Sequence, residues 1–132
     1  MLVLLIEDNP GDIMLVEHAL APMPVDVVLR VTADGEQALA LLTGEDLKPD
    51  LILLDLNLPK SSGFEFMEQI RGLIDTPVLV YSGSQNEADR ERALRLGARE
   101  YILKPMSFDG FVDELRGAVQ RWYPRAEGTS AF

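Results

Sequence analysis

The chain has 132 residues, with 12 Lys and Arg against 22 Asp and Glu, one His and no Cys, for a formal net charge of −10. That length suits one domain with one core, leaving no room for a second module of useful size. Without Cys there are no disulfides, thiolate metal sites or Cys nucleophiles. The single His rules out a multi-histidine metal centre, and the acidic balance argues against nucleic acid.

The first apolar run, Leu2 to Ile6, reads as a buried strand and leads into Glu7-Asp8 with no basic n-region or cleavage site. No signal peptide is expected. Every apolar run is shorter than a bilayer crossing, so no membrane role is expected and the cytoplasm is the expected compartment. Asp12 to Leu20 carries Ile13, Val16 and Leu20 on one helical face, after the turn Asn9-Pro10-Gly11. Val25 to Val31 is a second strand, interrupted by Asp26 and Arg30 and therefore placed near a sheet edge. Gly35 to Leu42 is a helix that stops at Gly44, and Leu51 to Leu54 is a third strand.

Phe64 to Ile74 follows Ser62-Gly63 as a helix, and Val78 to Tyr81 is the fourth strand. Glu87 to Leu96 is a charged helix closed by Gly97 at its C-cap. Tyr101 to Leu103 is the fifth strand, and Phe108 to Trp122 is a helix capped by Ser107 and stopped by Pro124. The domain is thus expected over 1–123, with 124–132 a frayed tail. Five strands alternating with five helices imply βα units and a parallel sheet with right-handed crossovers. In such sheets the ligand site lies beyond the carboxyl ends of the strands.

Those ends collect a consistent set of groups. Glu7 and Asp8 follow the first strand, and Asp55 with Leu56-Asn57-Leu58-Pro59 the third. Ser82-Gly83-Ser84 follows the fourth and Lys104-Pro105 the fifth, whereas Thr32 after the second offers nothing comparable. Three carboxylates at one edge repel each other unless a cation lies among them. Hard oxygen donors with room left for water and phosphate describe Mg²⁺ better than a protein-caged Ca²⁺. A carboxylate nucleophile, a lysine charge and a hydroxyl suit phosphoryl transfer, which needs positioning and charge neutralisation more than acid–base help.

Each residue alone has a plainer reading. A lone acid after a strand is usually a solvated turn residue, Ser82 alone a helix cap, Lys104 alone a surface charge. Asp55 differs because four apolar residues run straight into it. The weight lies in all of them falling at the same end of successive strands. His18 beside Glu17 has no partner motif, and the glycines form no nucleotide cradle.

At this point the chain resembles the receiver domain of bacterial two-component response regulators, over about Leu2 to Trp122. The carrying pieces are Leu5-Ile6-Glu7-Asp8-Asn9, then Asp50-Leu51-Ile52-Leu53-Leu54-Asp55-Leu56-Asn57-Leu58-Pro59 with Gly63 downstream. Val80-Tyr81-Ser82-Gly83 and Tyr101-Ile102-Leu103-Lys104-Pro105 complete them. The resemblance implies a flavodoxin-like doubly wound sheet of order 2-1-3-4-5, with Asp55 accepting a phosphoryl group from a sensor histidine kinase. It implies Mg²⁺, with Mn²⁺ an acceptable substitute, ligated by Asp8, Asp55 and the main-chain carbonyl of Asn57, with Glu7 acting through water. Lys104 would contact the phosphoryl oxygens, Ser82 would move to the new phosphate, and Tyr101 would turn inward behind it. The Lys104–Pro105 peptide would be cis. Ser82 stands where many members have Thr and Gly83 where Ala is common, which softens the expected switch.

Glu7-Asp8-Asn9-Pro10-Gly11-Asp12 with Asn57-Leu58-Pro59-Lys60 is similar to stand-alone regulators beside phytochrome-type kinases. The expected output is protein–protein, driven by the charge of the phosphoryl group. Trp122, Tyr123 and Phe132 suggest a homodimer through the C-terminal helix or tail. Self-phosphorylation and slow loss of the group are the whole of the expected catalysis. Two alternatives stand beside this: a phosphorylation-independent interaction module, and an aspartate-nucleophile phosphatase. The second is disfavoured by Asn57 where such enzymes carry an acid.

Overall fold

A computed structural model describes residues 1–23, 26–44, 47–58, 62–104 and 107–122. The described residues form β1 (Leu2–Ile6), α1 (Pro10–Leu20), β2 (Val28–Thr32), α2 (Gly35–Thr43), β3 (Leu51–Asp55), α3 (Gly63–Ile70), β4 (Val78–Ser82), α4 (Glu87–Arg95), β5 (Glu100–Leu103) and α5 (Phe108–Arg121). The strands make one parallel sheet in the order β2-β1-β3-β4-β5. This is the doubly wound flavodoxin-like architecture that the alternation implies.

Strand periodicity divides the core in two. Val3, Leu5, Leu51, Leu53, Leu79, Tyr81 and Ile102 face α1 and α5, packing on Val16, Leu20, Phe111 and Leu115. Leu4, Ile6, Ile52, Leu54, Val78 and Val80 face α2, α3 and α4. β3 is central and wholly buried, which is why Leu51-Ile52-Leu53-Leu54 has no polar alternation. Each such side chain contributes roughly 1.5–3 kcal/mol of burial free energy.

Among the element ends that differ from expectation, four bear on the site or on the sheet edge. β2 begins at Val28 because its register is set by β1, where Leu2 pairs with Val28; Val25 lies outside the described residues. Its edge position shows in alternating exposure along Val28-Leu29-Arg30-Val31. α3 stops at Ile70, as Arg71 is already extended and Gly72 takes a left-handed φ of 81°. β3 and β4 each run one residue further, so Asp55 and Ser82 are strand residues held by the sheet.

Helix ends follow their caps. Asn9 accepts from the Asp12 amide with Pro10 in the first turn, and Ser107 accepts from Gly110 N. At the end of α4, Gly97 N donates to Leu94 O and Ala98 N to Ala93 O, with Gly97 at φ 111°. That pair of bonds is the Schellman pattern, and it explains the glycine. The Lys104–Pro105 peptide and the tail from Tyr123 onward lie outside the described residues.

Candidate functional site: an acidic cluster at the carboxyl edge of the sheet

The register places the site. Asp55 ends β3 opposite Tyr81 of β4, and Ser82 lies one residue further along. Glu7 follows β1 and prolongs its pairing, its amide donating to Thr32 O at 2.9 Å. Lys104 follows β5, its amide donating to Ser82 O at 2.8 Å. Four strand ends therefore deliver Glu7, Asp55, Ser82 and Lys104 to one edge. Glu7, Asp55 and Ser82 are almost wholly buried, at 1%, 3% and 1% exposure.

Lys104 is the cation of the group. Its ammonium lies 2.9 Å from Asp12 Oδ2, 3.3 Å from Asp55 Oδ2 and 3.8 Å from Glu7 Oε1. Asp55 Oδ1 accepts from Asn57 N at 3.0 Å, which folds the loop after β3 back over the strand end. One Glu7 oxygen accepts from the amides of Asp8 and Asn9, each at 3.1 Å. The other accepts from the Tyr81 hydroxyl at 2.7 Å.

A second set of bonds links Ser82 to the outer face. Ser84 N donates to Ser82 Oγ at 3.1 Å, and the Tyr101 hydroxyl donates to Ser84 O at 2.9 Å. Ser84 Oγ in turn donates to Asp89 Oδ2 of α4 at 2.7 Å. The loop after β4 thus connects the buried serine, the β5 tyrosine and the first turn of α4.

Electrostatics follow from burial. Loss of solvent pushes the Glu7 carboxyl up to about 7, against the lowering bond from Tyr81 and helped by the nearby Asp55 charge. Burial likewise holds the Tyr81 hydroxyl far above its ordinary range, with the Glu7 charge adding to it. For Lys104, burial pulls downward, but the bond to Asp12 and the charges of Asp55 and Glu7 outweigh it and leave the ammonium above its usual value.

The carboxylates that converge are Glu7, Asp12 and Asp55, with one oxygen of each within 4.8 Å of the others. Hard oxygens at that spacing fit a small divalent cation. Asp8 is exposed and its carboxylate lies outside this trio. Sequence reasoning missed Asp12, taking it only as a helix-start residue. It also missed Tyr81, taking it only as a strand residue. The available signals were Asp12's place in the turn after β1 and a phenol in an otherwise aliphatic buried strand, which needs an acceptor.

A buried strand-end aspartate, an acid pair in the first loop and a lysine after the fifth strand, on a sheet of this order, define the receiver module of two-component signalling. The chain belongs to the response regulator receiver domain family, whose pattern matches residues 3–116. The transcriptional regulatory protein KdpE of Mycobacterium tuberculosis is 35% identical over 126 residues, 96% of this chain and 54% of that protein. The chain spans about half the length of that relative. Among solved structures, the phosphorylated cyanobacterial phytochrome response regulator RcpA superposes with a TM-score of 0.85 at 36% identity, covering 98% of this chain and 96% of that one. The Mn²⁺-bound form of response regulator Rcp1 gives 0.84 at 31% identity, covering 99% and 97%. No described helix is long and apolar enough to cross a membrane.

Proposed function

We propose that this chain is a cytoplasmic response regulator receiver that accepts a phosphoryl group on Asp55 from a sensor histidine kinase. The observation that carries it is the buried Asp55 carboxylate at a strand end, 3.3 Å from the Lys104 ammonium and grouped with Glu7 and Asp12. An Asp55 oxygen attacks phosphorus, the bond from phosphorus to the donor imidazole breaks, and the neutralised imidazole leaves. Water later attacks the acyl phosphate and releases inorganic phosphate. A bound Mg²⁺, held by Asp55, Asp8, the Asn57 main-chain carbonyl and Glu7 with Asp12 alongside, would supply charge neutralisation on the phosphoryl oxygens. Lys104 leaves Asp12 for those oxygens, and the Ser82 hydroxyl turns to them.

The same movement reaches the surface through Ser84. When Ser82 turns, it gives up the bond from Ser84 N, and the carbonyl that holds Tyr101 shifts with it. Tyr101 and α4 then change together, a shift between two packings driven by contacts that exist only after phosphorylation. The likeness to the phytochrome response regulator RcpA along 96% of that chain supports a phytochrome-type kinase as donor. The output is a protein partner or a homodimer through α5 and the tail. Light scattering with and without phosphorylation tests the dimer, and a monomer in both states counts against it.

Intact mass after incubation with Mg²⁺ and acetyl phosphate tests the central reading. An adduct on the wild type, lost with EDTA and absent in Asp55→Asn, is expected. No adduct on folded, Mg²⁺-supplied wild type would favour an interaction module that works without phosphorylation.

A further inference from the structure

We infer that Tyr81 is a positioning residue for the metal-binding carboxylates, fixing Glu7 from across the sheet; this rests on the divalent-metal reading of the site above. Tyr81 is fully buried in β4, with its ring 6.0 Å from that of Phe111. A phenol placed there must find an acceptor or lose stability. It finds one in a residue 74 positions away, Glu7 Oε1, at 2.7 Å.

The topology makes that bond unusual. β1 and β4 are not neighbours, because β3 runs between them. The Tyr81 hydroxyl therefore reaches past the strand that ends in Asp55 to hold the acid beyond it. Glu7 is gripped at both oxygens, by its own loop amides at one and by β4 at the other. The same ring also meets the opposite charge, with the Lys104 ammonium 5.0 Å from its centroid. Tyr81 thus keeps Glu7 directed along the sheet edge and holds a surface against which Lys104 rests. Without the hydroxyl, Lys104, already 3.8 Å from Glu7 Oε1, becomes the remaining partner for that oxygen and competes with a metal for it.

Tyr81→Phe isolates the effect, since it keeps the ring, the Phe111 contact and the face toward Lys104. Loss of a group that orients a metal-binding side chain typically costs about tenfold or more in affinity. The measurement is Mn²⁺ binding without any phosphodonor, read from the paramagnetic signal of the free ion, with folding checked by circular dichroism. Tyr81→Phe is expected to bind Mn²⁺ about tenfold more weakly, and the Mg²⁺ needed for half-maximal Asp55 phosphorylation should rise by the same factor. The phosphorylation plateau at saturating Mg²⁺ should stay at the wild-type level. In a Glu7→Gln background the added Tyr81→Phe change should cost nothing further, because the two act as one unit.

Mn²⁺ affinity within about twofold of wild type in folded Tyr81→Phe would overturn the inference. So would a full additional loss on top of Glu7→Gln, or a wild type that binds no Mn²⁺. Since binding is read without phosphodonor, a wild type that holds Mn²⁺ through Tyr81 but takes no phosphoryl group would refute the signalling reading and leave this one standing.

Discussion

The Lys104 ammonium stands closer to Asp12, at 2.9 Å, than to Asp55, at 3.3 Å, so the lysine after β5 is tethered to the first turn of α1. Asp12 is both a partner for Lys104 and one of the three converging carboxylates. Asp12→Asn removes a hard oxygen and frees Lys104 for Asp55, and both changes weaken divalent-metal binding. Several-fold lower Mn²⁺ affinity is expected. The Asp12 side chain is 31% exposed, so the pair itself is worth no more than about 1 kcal/mol. The melting temperature should therefore move by less than about 5 °C. A metal titration beside a thermal melt separates the two effects.

Glu7 gives the site a pH dependence of definite sign. Its carboxyl is raised from 4.5 to about 7, first by burial, so the folded chain keeps a proton that the unfolded chain has lost. Its contribution to stability is complete below about pH 4.5 and is lost as the pH rises through about 7. Melts in EDTA should show this falling limb in the wild type, and Glu7→Gln should flatten it. A metal must displace the same proton, so apparent Mn²⁺ affinity should climb through neutrality and then level off. A wild-type melting curve with the same pH slope as Glu7→Gln would show that Glu7 ionises freely.

At the opposite end of β5 the sign reverses. Glu100 accepts from Arg121 Nε and Nη2 at 2.8 and 2.6 Å and from the Trp122 indole at 2.6 Å. The Arg121 bonds hold its carboxyl below 4.5, so this stabilisation is present above that value and is lost as the pH falls through the lowered one. Arg121 is 58% exposed, which limits the pair to about 1 kcal/mol or less. Trp122 is the chain's single tryptophan, so its emission reports the bond directly. Wild-type fluorescence should step on acidification below the ordinary carboxylate range, and Glu100→Gln should remove the step.

Much of this site was legible because strand ends are legible. A continuous apolar run stopping at Asp55 is a burial signal, and a parallel sheet sends every such end to one edge. That reasoning reached Glu7, Asp55, Ser82 and Lys104, and the structure brings all four together. It did not reach Asp12, because a residue in a helix's first turn meets the site only through the angle at which α1 leaves β1. Nor did it reach Tyr81, because strand periodicity assigns a face but says nothing of where a hydroxyl at the end of a ring arrives. The start of β2 and the stop of α3 escaped for a related reason. One is set by pairing with β1 and the other by a left-handed Gly72, neither of which hydrophobic pattern records.

The loop that carries Asn57 is anchored by a glycine contact that substitution can test. Gly63 N donates to Leu56 O at 3.0 Å, drawing the start of α3 against the residue after Asp55. A Cβ at Gly63 would lie 2.9 Å from Leu56 Cα, 3.0 Å from Leu56 Cδ2 and 3.1 Å from Asp55 O. Two of those atoms are backbone and cannot swing aside, so a methyl group must push the end of β3. Overpacking of this kind costs about 1–3 kcal/mol. Gly63→Ala should therefore melt lower and, by shifting Asp55, slow phosphorylation by acetyl phosphate even at saturating Mg²⁺. Gly83→Ala is the matched control, since a Cβ there meets nothing within 4 Å and the residue lacks a left-handed φ. It should melt within about 0.5 kcal/mol of wild type, as surface substitutions do. Equal stability of the two alanine variants would mean that the loop after β3 yields without cost, and the tight seat of Gly63 would then have no part in holding Asp55.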